Sequence, residues 1–500
     1  MNETTTFLPS PEAGPPPPAG QPDTRGVKNP DAYRTILRLS LPLILSMSGL
    51  MVMVFLNRLF LSWYEKEAIA AIGVAGLASF MLMSLFVGAA GFTSTFVAQY
   101  VGAGQPGRVG VAVWQGIFFS LVSGALVTCL SGLAKPIFAW VGHHPKVQAL
   151  EVTYFTITCY AAPLCILGSA LTGFFAGRGD TRTLMFIQVS GFVLNVSLDY
   201  LLIFGRFGFP ELGIAGAAWA NFIAQAFISL LLLTLFLKPS HRRDFGTAAG
   251  FRWDRELFIR LAQFGLPNGA RFAFELLAWN SFLVFVGRLG NLENAVTNMV
   301  WALNGFAFFP VIGLSEAVRA LVGQAQGRSE PTVVARCVWR GLLIGGLWMV
   351  LWAGVFLVIP AELLSFFRDE KSFSAEEFAT VTAIGTVLLR FVAAYCLLDA
   401  ANIVIMGALQ GVGDTVWTFY MALVLNVAFL AGLWWVDRLR PDLEIDGWTS
   451  VQVLYLEWAM ATAFVLIMAC VWTARFASGC WKHLRVIEKD AAAPSLARPA

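Results

Sequence analysis

The chain has 500 residues, of which 57% are hydrophobic and only 13% charged, about half the charged share usual in soluble domains. That composition excludes a soluble protein and any large extramembrane catalytic domain, because at ~20 residues per bilayer crossing the apolar residues furnish about a dozen helices and little else. A net charge of +3 makes no case for a nucleic-acid partner.

In chain order, residues 1–33 contain Pro15-Pro16-Pro17-Pro18 and no apolar core, so they read as a disordered tail on the cytoplasmic side and not as a cleaved signal peptide. Twelve apolar runs follow, at roughly 36–61, 68–97, 111–134, 150–175, 183–204, 213–238, 258–287, 294–325, 336–359, 378–408, 415–438 and 451–475. An even number puts both ends on one side. Counting Lys and Arg alternately gives 21 on that side against 10 on the other, which places both termini in the cytoplasm of a plasma (inner) membrane protein. The richest basic connection, from Lys238 to Arg260, divides the chain into a first lobe over 34–240, a linker over 241–257, a second lobe over 258–476 and a cytoplasmic tail over 477–500. The seven cysteines lie in or beside apolar runs without a CxxC pair and read as small core residues.

The two halves repeat. A shift of 225 maps Leu41-Pro42 onto Leu266-Pro267, Gly88 onto Gly313, Gln99 onto Gln324, Gly102 onto Gly327 and Trp114 onto Trp339. A shift of 234 pairs the segment Gly173 to Thr181 with Gly407 to Thr415. With six spans each, the halves share one orientation, so the predicted fold is an all-α integral membrane protein of twelve transmembrane helices in two six-helix lobes related by a parallel repeat. Such repeats enclose a cavity and suit a carrier working by alternating access.

Charged groups inside spans need a reason. Arg271 with Glu275, and Glu316 with Arg319, sit at helical spacing for mutual neutralisation. Glu316 and Arg319 read as structural, whereas Glu275, near mid-span and two turns beyond Pro267, reads as functional. In span ten, Tyr395, Asp399 and Asn402 follow one another at one-turn intervals, and no base lies within four residues of Asp399. Its carboxylate is therefore paired across the bundle with Arg390 or Arg271, hydrated, protonated or bound to a cation. Span five carries Asn195 and Asp199, four apart, as the first lobe's oxygen-bearing face; such sites suit a proton or a hard cation such as Na+. Asn57 and Arg58 are polar in span one, Arg58 reading as a snorkelling residue. A subset of the aromatic residues, if it faces the cavity, suits flat organic cations through cation–π contact.

The turns at Gly179-Asp180-Thr181 and Gly413-Asp414-Thr415 read as tight turns with Asp or Thr capping the next helix. Gly102-Ala103-Gly104 lacks a following Gly-Lys-Ser/Thr and is no phosphate cradle, which argues against ATP-driven export.

Over about residues 35 to 476 the chain resembles the multidrug and toxic compound extrusion (MATE) family, which has two six-helix lobes. The resemblance rests on the order and spacing of Leu41-Pro42, Ala98-Gln99-(x2)-Gly102-Ala103-Gly104, Gly177-Arg178-Gly179-Asp180-Thr181, Asn195-(x3)-Asp199, Phe264-Gly265-Leu266-Pro267, Glu275, Val322-Gly323-Gln324 and Gly407 to Asp414. It implies a second-lobe cation site at Glu275, Tyr395 and Asp399 and a first-lobe proton or sodium site at Asn195 and Asp199. Asn57 stands where the family usually has an Asp, a departure that weakens proton coupling in the first lobe. The resulting expectation is a monomeric secondary antiporter in the lipid bilayer. It exports amphipathic, cationic small organic molecules in exchange for Na+ or H+, with no cofactor beyond the coupling ion and no nucleic acid.

Two other readings compete with this one. A flippase or exporter of a lipid-linked saccharide or other non-drug amphiphile needs cavity arginines for pyrophosphate, and only Arg271, Arg319 and Arg390 lie within spans. A membrane-embedded enzyme needs an in-span acid, base or nucleophile, yet His143, His144, His241 and His483 all fall in loops or the tail. His143-His144 reads as a solvent-exposed loop.

Overall fold

In lipid, long apolar segments must satisfy their backbone N–H and C=O groups internally, and helices do so. The computed structural model describes residue 29 and residues 31–368, 374–445 and 447–488. These form helices, turns and loops with no strand among the described residues. Most of the Pro-rich stretch expected over 1–33, and the end of the expected tail from 489 onward, lie outside them.

The first lobe comprises α1 (Tyr33–Tyr64), α2 (Lys66–Gly91), α3 (Thr93–Gly102), α4 (Pro106–Leu130), α5 (Ala134–Val141), α6 (Pro145–Tyr160), α7 (Ala162–Arg178), α8 (Thr181–Phe204) and α9 (Ile214–Phe236). The short α10 (Pro239–Phe245) leads into the second lobe, α11 (Arg255–Leu289), α12 (Asn291–Gly327), α13 (Pro331–Val358), α14 (Pro360–Ser365), α15 (Ala375–Val412), α16 (Thr415–Ile445) and α17 (Ser450–Ala477). Eleven helical segments are long and apolar enough to span a bilayer, and α6 with α7, bent by 42°, supplies a twelfth. This is the predicted six-plus-six arrangement. The bend falls at Ala161, just before Pro163, whose ring removes one donor from the ladder.

Local chemistry sets the helix ends. Asp254 caps α11 by accepting from the Leu257 N–H at 3.1 Å, while Ser374 with Glu377 and Thr449 with Gln452 form capping boxes at α15 and α17. At the two expected Gly-Asp-Thr turns, Gly179 (φ 87°) and Gly413 (φ 94°) take the left-handed conformation that favours glycine. Asp180 caps α8 as anticipated, accepting from the Thr183 hydroxyl at 2.8 Å. Asp414 differs, because its carboxylate faces Arg475 at 2.7 Å and ties α16 to the end of α17. The loop after α10 is also held in place: Trp114 donates to the Thr247 carbonyl at 2.7 Å and Gln115 to that of Arg252 at 2.9 Å.

The lobes cross at glycines, and the crossings obey the repeat. On one side α2 meets α11, with Gly88 so near Gly269 that a Cβ on Gly88 would lie 2.8 Å from the opposing Cα. On the other α1 meets α12, where a Cβ on Gly313 would lie 2.7 Å from the Ile44 nitrogen. Gly88 and Gly313, like Ile44 and Gly269, are 225 residues apart, so the contact is made twice about a pseudo-twofold axis.

Candidate functional site

Two polar centres and one seal define the region between the lobes. In the first lobe α8 packs against α1 and α9, and Asn195 and Asp199 are fully buried at that junction. With its amide oriented to satisfy both ends, Asn195 donates to Asp199 Oδ2 at 3.0 Å and accepts from the Asn221 backbone N–H of α9 at 3.2 Å. Among the described residues Asp199 Oδ1 has no hydrogen-bond partner. Asn57, half-buried on α1, shares no hydrogen bond with either among the described residues, and Arg58 is exposed. Tyr154 of α6 lies within electrostatic reach of both Asp199 and Arg58.

In the second lobe α15 is wrapped by α12, α13 and α17, and it buries both Tyr395 and Asp399. Asp399 Oδ1 accepts from the Asn402 amide at 3.1 Å, an in-helix contact one turn away. Neither Arg271 nor Arg390 pairs with it: Arg271 is engaged by Glu275 in an ion pair along α11, and Arg390 is exposed. Glu275 is thus neutralised within its own helix. Because α11 leans on α2 and α16 and not on α15, no hydrogen bond or ion pair joins Glu275 to Tyr395 or Asp399 among the described residues. Glu316 and Arg319 pair with each other, and Arg319 also donates to Gln410 at 3.2 Å, a contact between α12 and α15.

The seal lies at the face carrying the ends of the described chain, here the terminal face. Gln99 of α3 donates to the Gly411 carbonyl at 3.1 Å, and its repeat mate Gln324 donates to the Gly177 carbonyl at 2.8 Å. Gly177 and Gly411 are themselves the pair related by 234. Each lobe therefore caps the helix end of the other with the same amide. A strap from the end of the chain lies over this seam. The Val486 N–H donates to Gln99 Oε1 at 3.0 Å, and its carbonyl accepts from Arg260 at 2.7 Å. Gln326 donates to the Leu484 carbonyl at 2.7 Å, while Glu488 accepts from Tyr100 at 2.7 Å and from Arg108 at 2.8 Å. Burial pushes the Glu488 carboxyl up, but hydrogen bonds from its own backbone, Tyr100 and Arg108 outweigh that and hold it below the usual carboxylate range.

All inter-lobe hydrogen bonds, ring pairs and glycine crossings among the described residues run from mid-span to the terminal face, the outermost being Phe80 with Phe272 (6.3 Å) and Gly305 with Met51. Sequence reasoning missed two buried acids. Glu151 of α6 is fully buried and bonded at 2.7 Å to His143, whose ring is partly exposed, so the expected exposed loop is anchored to a core carboxylate. Glu457 of α17 is buried, and among the described residues its Oε2 has no hydrogen-bond partner. Glu151 carried a signal, as an acid at the edge of an apolar run, whereas Glu457 stands seven residues into its run, where it reads as an interfacial group.

A family model described as MatE matches residues 42–201 and 267–433, covering both halves. The chain belongs to the MatE family of transporters. Membership makes it a membrane carrier and not an enzyme. Within the family it is 27% identical to the "Probable multidrug resistance protein NorM" of Rhizobium meliloti, over 70% of this chain and 75% of that protein. It is 24% identical to the "Probable multidrug resistance protein YoeA" of Bacillus subtilis, over 90% of this chain and 94% of that protein. Its fold superposes with a TM-score of 0.78 on the outward-facing conformation of a multidrug resistance MATE family transporter, at 19% identity over 91% of this chain and 98% of the other. A MOP superfamily transporter from Pyrococcus furiosus superposes with a TM-score of 0.76 at 17% identity, again over 91% and 98%.

Proposed function

We propose that this MATE chain is a monomeric secondary antiporter that exports amphipathic, cationic organic compounds in exchange for H+ or Na+. The observation that carries this reading is a buried aspartate in each lobe, Asp199 and Asp399, with no basic partner among the described residues, in a molecule whose lobes close on one face only. An anion so placed is costly unless a proton or cation joins it. Uptake of the coupling ion neutralises the carboxylate, changes the free energy of lobe packing, and so shifts the balance between the two access states. The excess of Lys and Arg on the terminal face supports a cytoplasmic location for both ends in the plasma (inner) membrane. With that orientation, the sealed face is the inner gate and the present state opens outward.

Of the two centres, the second lobe is favoured for coupling. Asn57 supplies no carboxylate to the first, whereas Tyr395, Asp399 and Asn402 are complete on one helix. Glu275 joins that centre only once it leaves Arg271. The lipid-linked saccharide reading loses support because Arg271 and Arg319 are both occupied by in-helix acids and Arg390 is exposed.

The test is efflux of a fluorescent organic cation from proteoliposomes under a pH gradient or a Na+ gradient, imposed separately. Efflux driven by one gradient and reduced to background in Asp399→Asn is expected, with a smaller loss in Asp199→Asn. Undiminished efflux by Asp399→Asn would remove the second-lobe assignment. No response of the wild-type chain to either gradient would return the lipid-linked or other non-drug amphiphile.

A further inference from the structure

The repeat predicts a cover near the start of α13 that the described chain supplies only in part. A shift of 225 maps Trp114 and Gln115 of α4 onto Trp339 and Arg340 of α13. In the first lobe that pair is wrapped by the linker: the Phe251 ring lies 4.6 Å from that of Trp114, and Gln115 accepts from the Asp254 N–H at 3.3 Å while donating to the Arg252 carbonyl. In the second lobe Arg340 holds the chain entering α1 in the same way, bonding the Asp31 carbonyl and pairing with its carboxylate at 3.3 Å. Trp339, however, is 64% exposed.

Two helices of different lobes border this face. Tyr33, at the start of α1, lies 5.2 Å from the Arg340 guanidinium, which sets α1 and α13 side by side at the membrane border. Below that level each helix carries exposed leucines, Leu37 and Leu41 on α1 and Leu343 and Leu347 on α13. At about 100° per residue, Leu37 and Leu41 lie within a quarter turn of Tyr33 in one sense, and Leu343 and Leu347 within a quarter turn of Arg340 in the other. Both helices run away from the terminal face, so these opposite senses open on one side, away from α12, where Trp348 donates to the Ala307 carbonyl. The result is an apolar furrow that faces lipid.

Its head is basic. Arg34 and Arg38 are exposed on the same flank of α1 and have no partner among the described residues. Arg336 gives Asp31 its Nε at 3.2 Å and stays 58% exposed, with its terminal amino groups unbonded among the described residues. Four arginines thus face Asp31, and the next acid on that side, Glu330, is paired with Arg328 at 3.0 Å. Residues 1–28 offer no complement in charge, since Glu3, Glu12 and Asp23 stand against Arg25 and Lys28.

We propose that the furrow between α1 and α13 binds an anionic phospholipid, with its phosphate held by Arg336 and Arg34, Trp339 beside the headgroup and the acyl chains along the two leucine rows. Guanidinium matches phosphate in charge and in the fork of its donors, and a tryptophan at the border suits the headgroup level. Because α1 belongs to the first lobe and α13 to the second, the lipid bridges the seam and favours the closed terminal face. The site depends on the chain lying in a bilayer and not on the antiport reading.

Native mass spectrometry of the full-length chain in detergent, titrated with phosphatidylglycerol or phosphatidylcholine, tests the proposal. Preferential retention of phosphatidylglycerol is expected, falling about fivefold for each arginine removed and roughly 25-fold in Arg34→Gln with Arg336→Gln. Arg34→Gln alone removes no contact among the described residues, so it carries the test even if loss of the Arg336 pair to Asp31 unfolds the chain. The exposed pair on α10, changed as Arg242→Gln with Arg243→Gln, leaves the preference at the wild-type level, as does deletion of residues 1–28. Equal retention of the two lipids by the wild type, or a preference unmoved by Arg34→Gln, overturns the proposal. An equal loss in the α10 variant overturns it in favour of diffuse surface charge, and tighter phosphatidylglycerol binding after the deletion overturns it in favour of the chain's own tail as the cover.

Discussion

At the scale of single residues, the in-span charges divide by whether a partner is built in. Arg271 and Glu275 share one face of α11, and the guanidinium is the more buried of the two. Removing Arg271 leaves the Glu275 carboxylate unpaired inside the span. Arg271→Ala is therefore expected to destabilise the protein by about 3–5 kcal/mol, the cost typical of breaking a buried pair, and Arg271→Ala with Glu275→Gln to recover most of it. Thermal unfolding in detergent measures both. Transport separates a second question: if Glu275 serves only to neutralise Arg271, the stable double variant exports dye at the wild-type rate, whereas a coupling role leaves it inactive. Asn195 and Asp199 were legible because their spacing of four on an apolar helix forces them onto one face, and the structure joins them at 3.0 Å. Glu457 was not. An acid seven residues into a run, near Gln452 and Tyr455, has the pattern of an interfacial group that water reaches, and only the packing of the neighbouring helices over α17 buries it.

At the scale of elements, the strap over residues 484–488 converts a chain end into a clamp. It touches the first lobe through Gln99, Tyr100 and Arg108 and the second through Arg260, Gln326 and Gly327, the last accepting from Arg485 at 2.8 Å. Glu488→Gln keeps the shape but removes the charge from two hydrogen bonds, and a loss of about 1–2 kcal/mol is expected in thermal unfolding. The pH dependence has a definite sign. The carboxyl is held below its ordinary value in the folded protein, so its contribution is fully present above the unfolded carboxyl's range and is lost as pH falls through the lowered folded value. Acidification of the terminal face should thus loosen the clamp in the wild type and leave Glu488→Gln unaffected, as read by spin-label distances across the seam. None of this was visible in the sequence. Residues 477–500 carry no periodicity beyond scattered bases, and the partners of Val486 and Glu488 lie more than 200 residues away in the chain.

At the scale of the whole molecule, the repeat is a mechanical statement. Gln99, Gly102 and Gly88 recur as Gln324, Gly327 and Gly313, and the sequence shows them as landmarks without showing that each lands on the other lobe. The structure supplies the reason for their identity. A Cβ on Gly102 would lie 2.0 Å from the Gln324 carbonyl oxygen, and one on Gly327 would lie 2.2 Å from that of Gln99. Both obstacles are backbone atoms of a packed helix, so neither can move aside without the lobes separating. A carrier needs two arrangements of nearly equal free energy, and these glycines let the terminal face close at all. Gly102→Ala and Gly327→Ala should each prop the seam open, and together should hold the chain with its terminal face accessible. Because each lobe carries the same glycine against the same carbonyl, the two single variants are expected to shift the balance to a similar degree. Cysteines placed at the seam, reacted with a membrane-impermeant thiol reagent from either side of a sealed vesicle, measure the shift. Labelling from the terminal face should rise in both variants while dye efflux falls. Unchanged labelling in Gly102→Ala would mean that closure of this face is not limited by the crossing of α3 and α12, and that the seam opens by another movement.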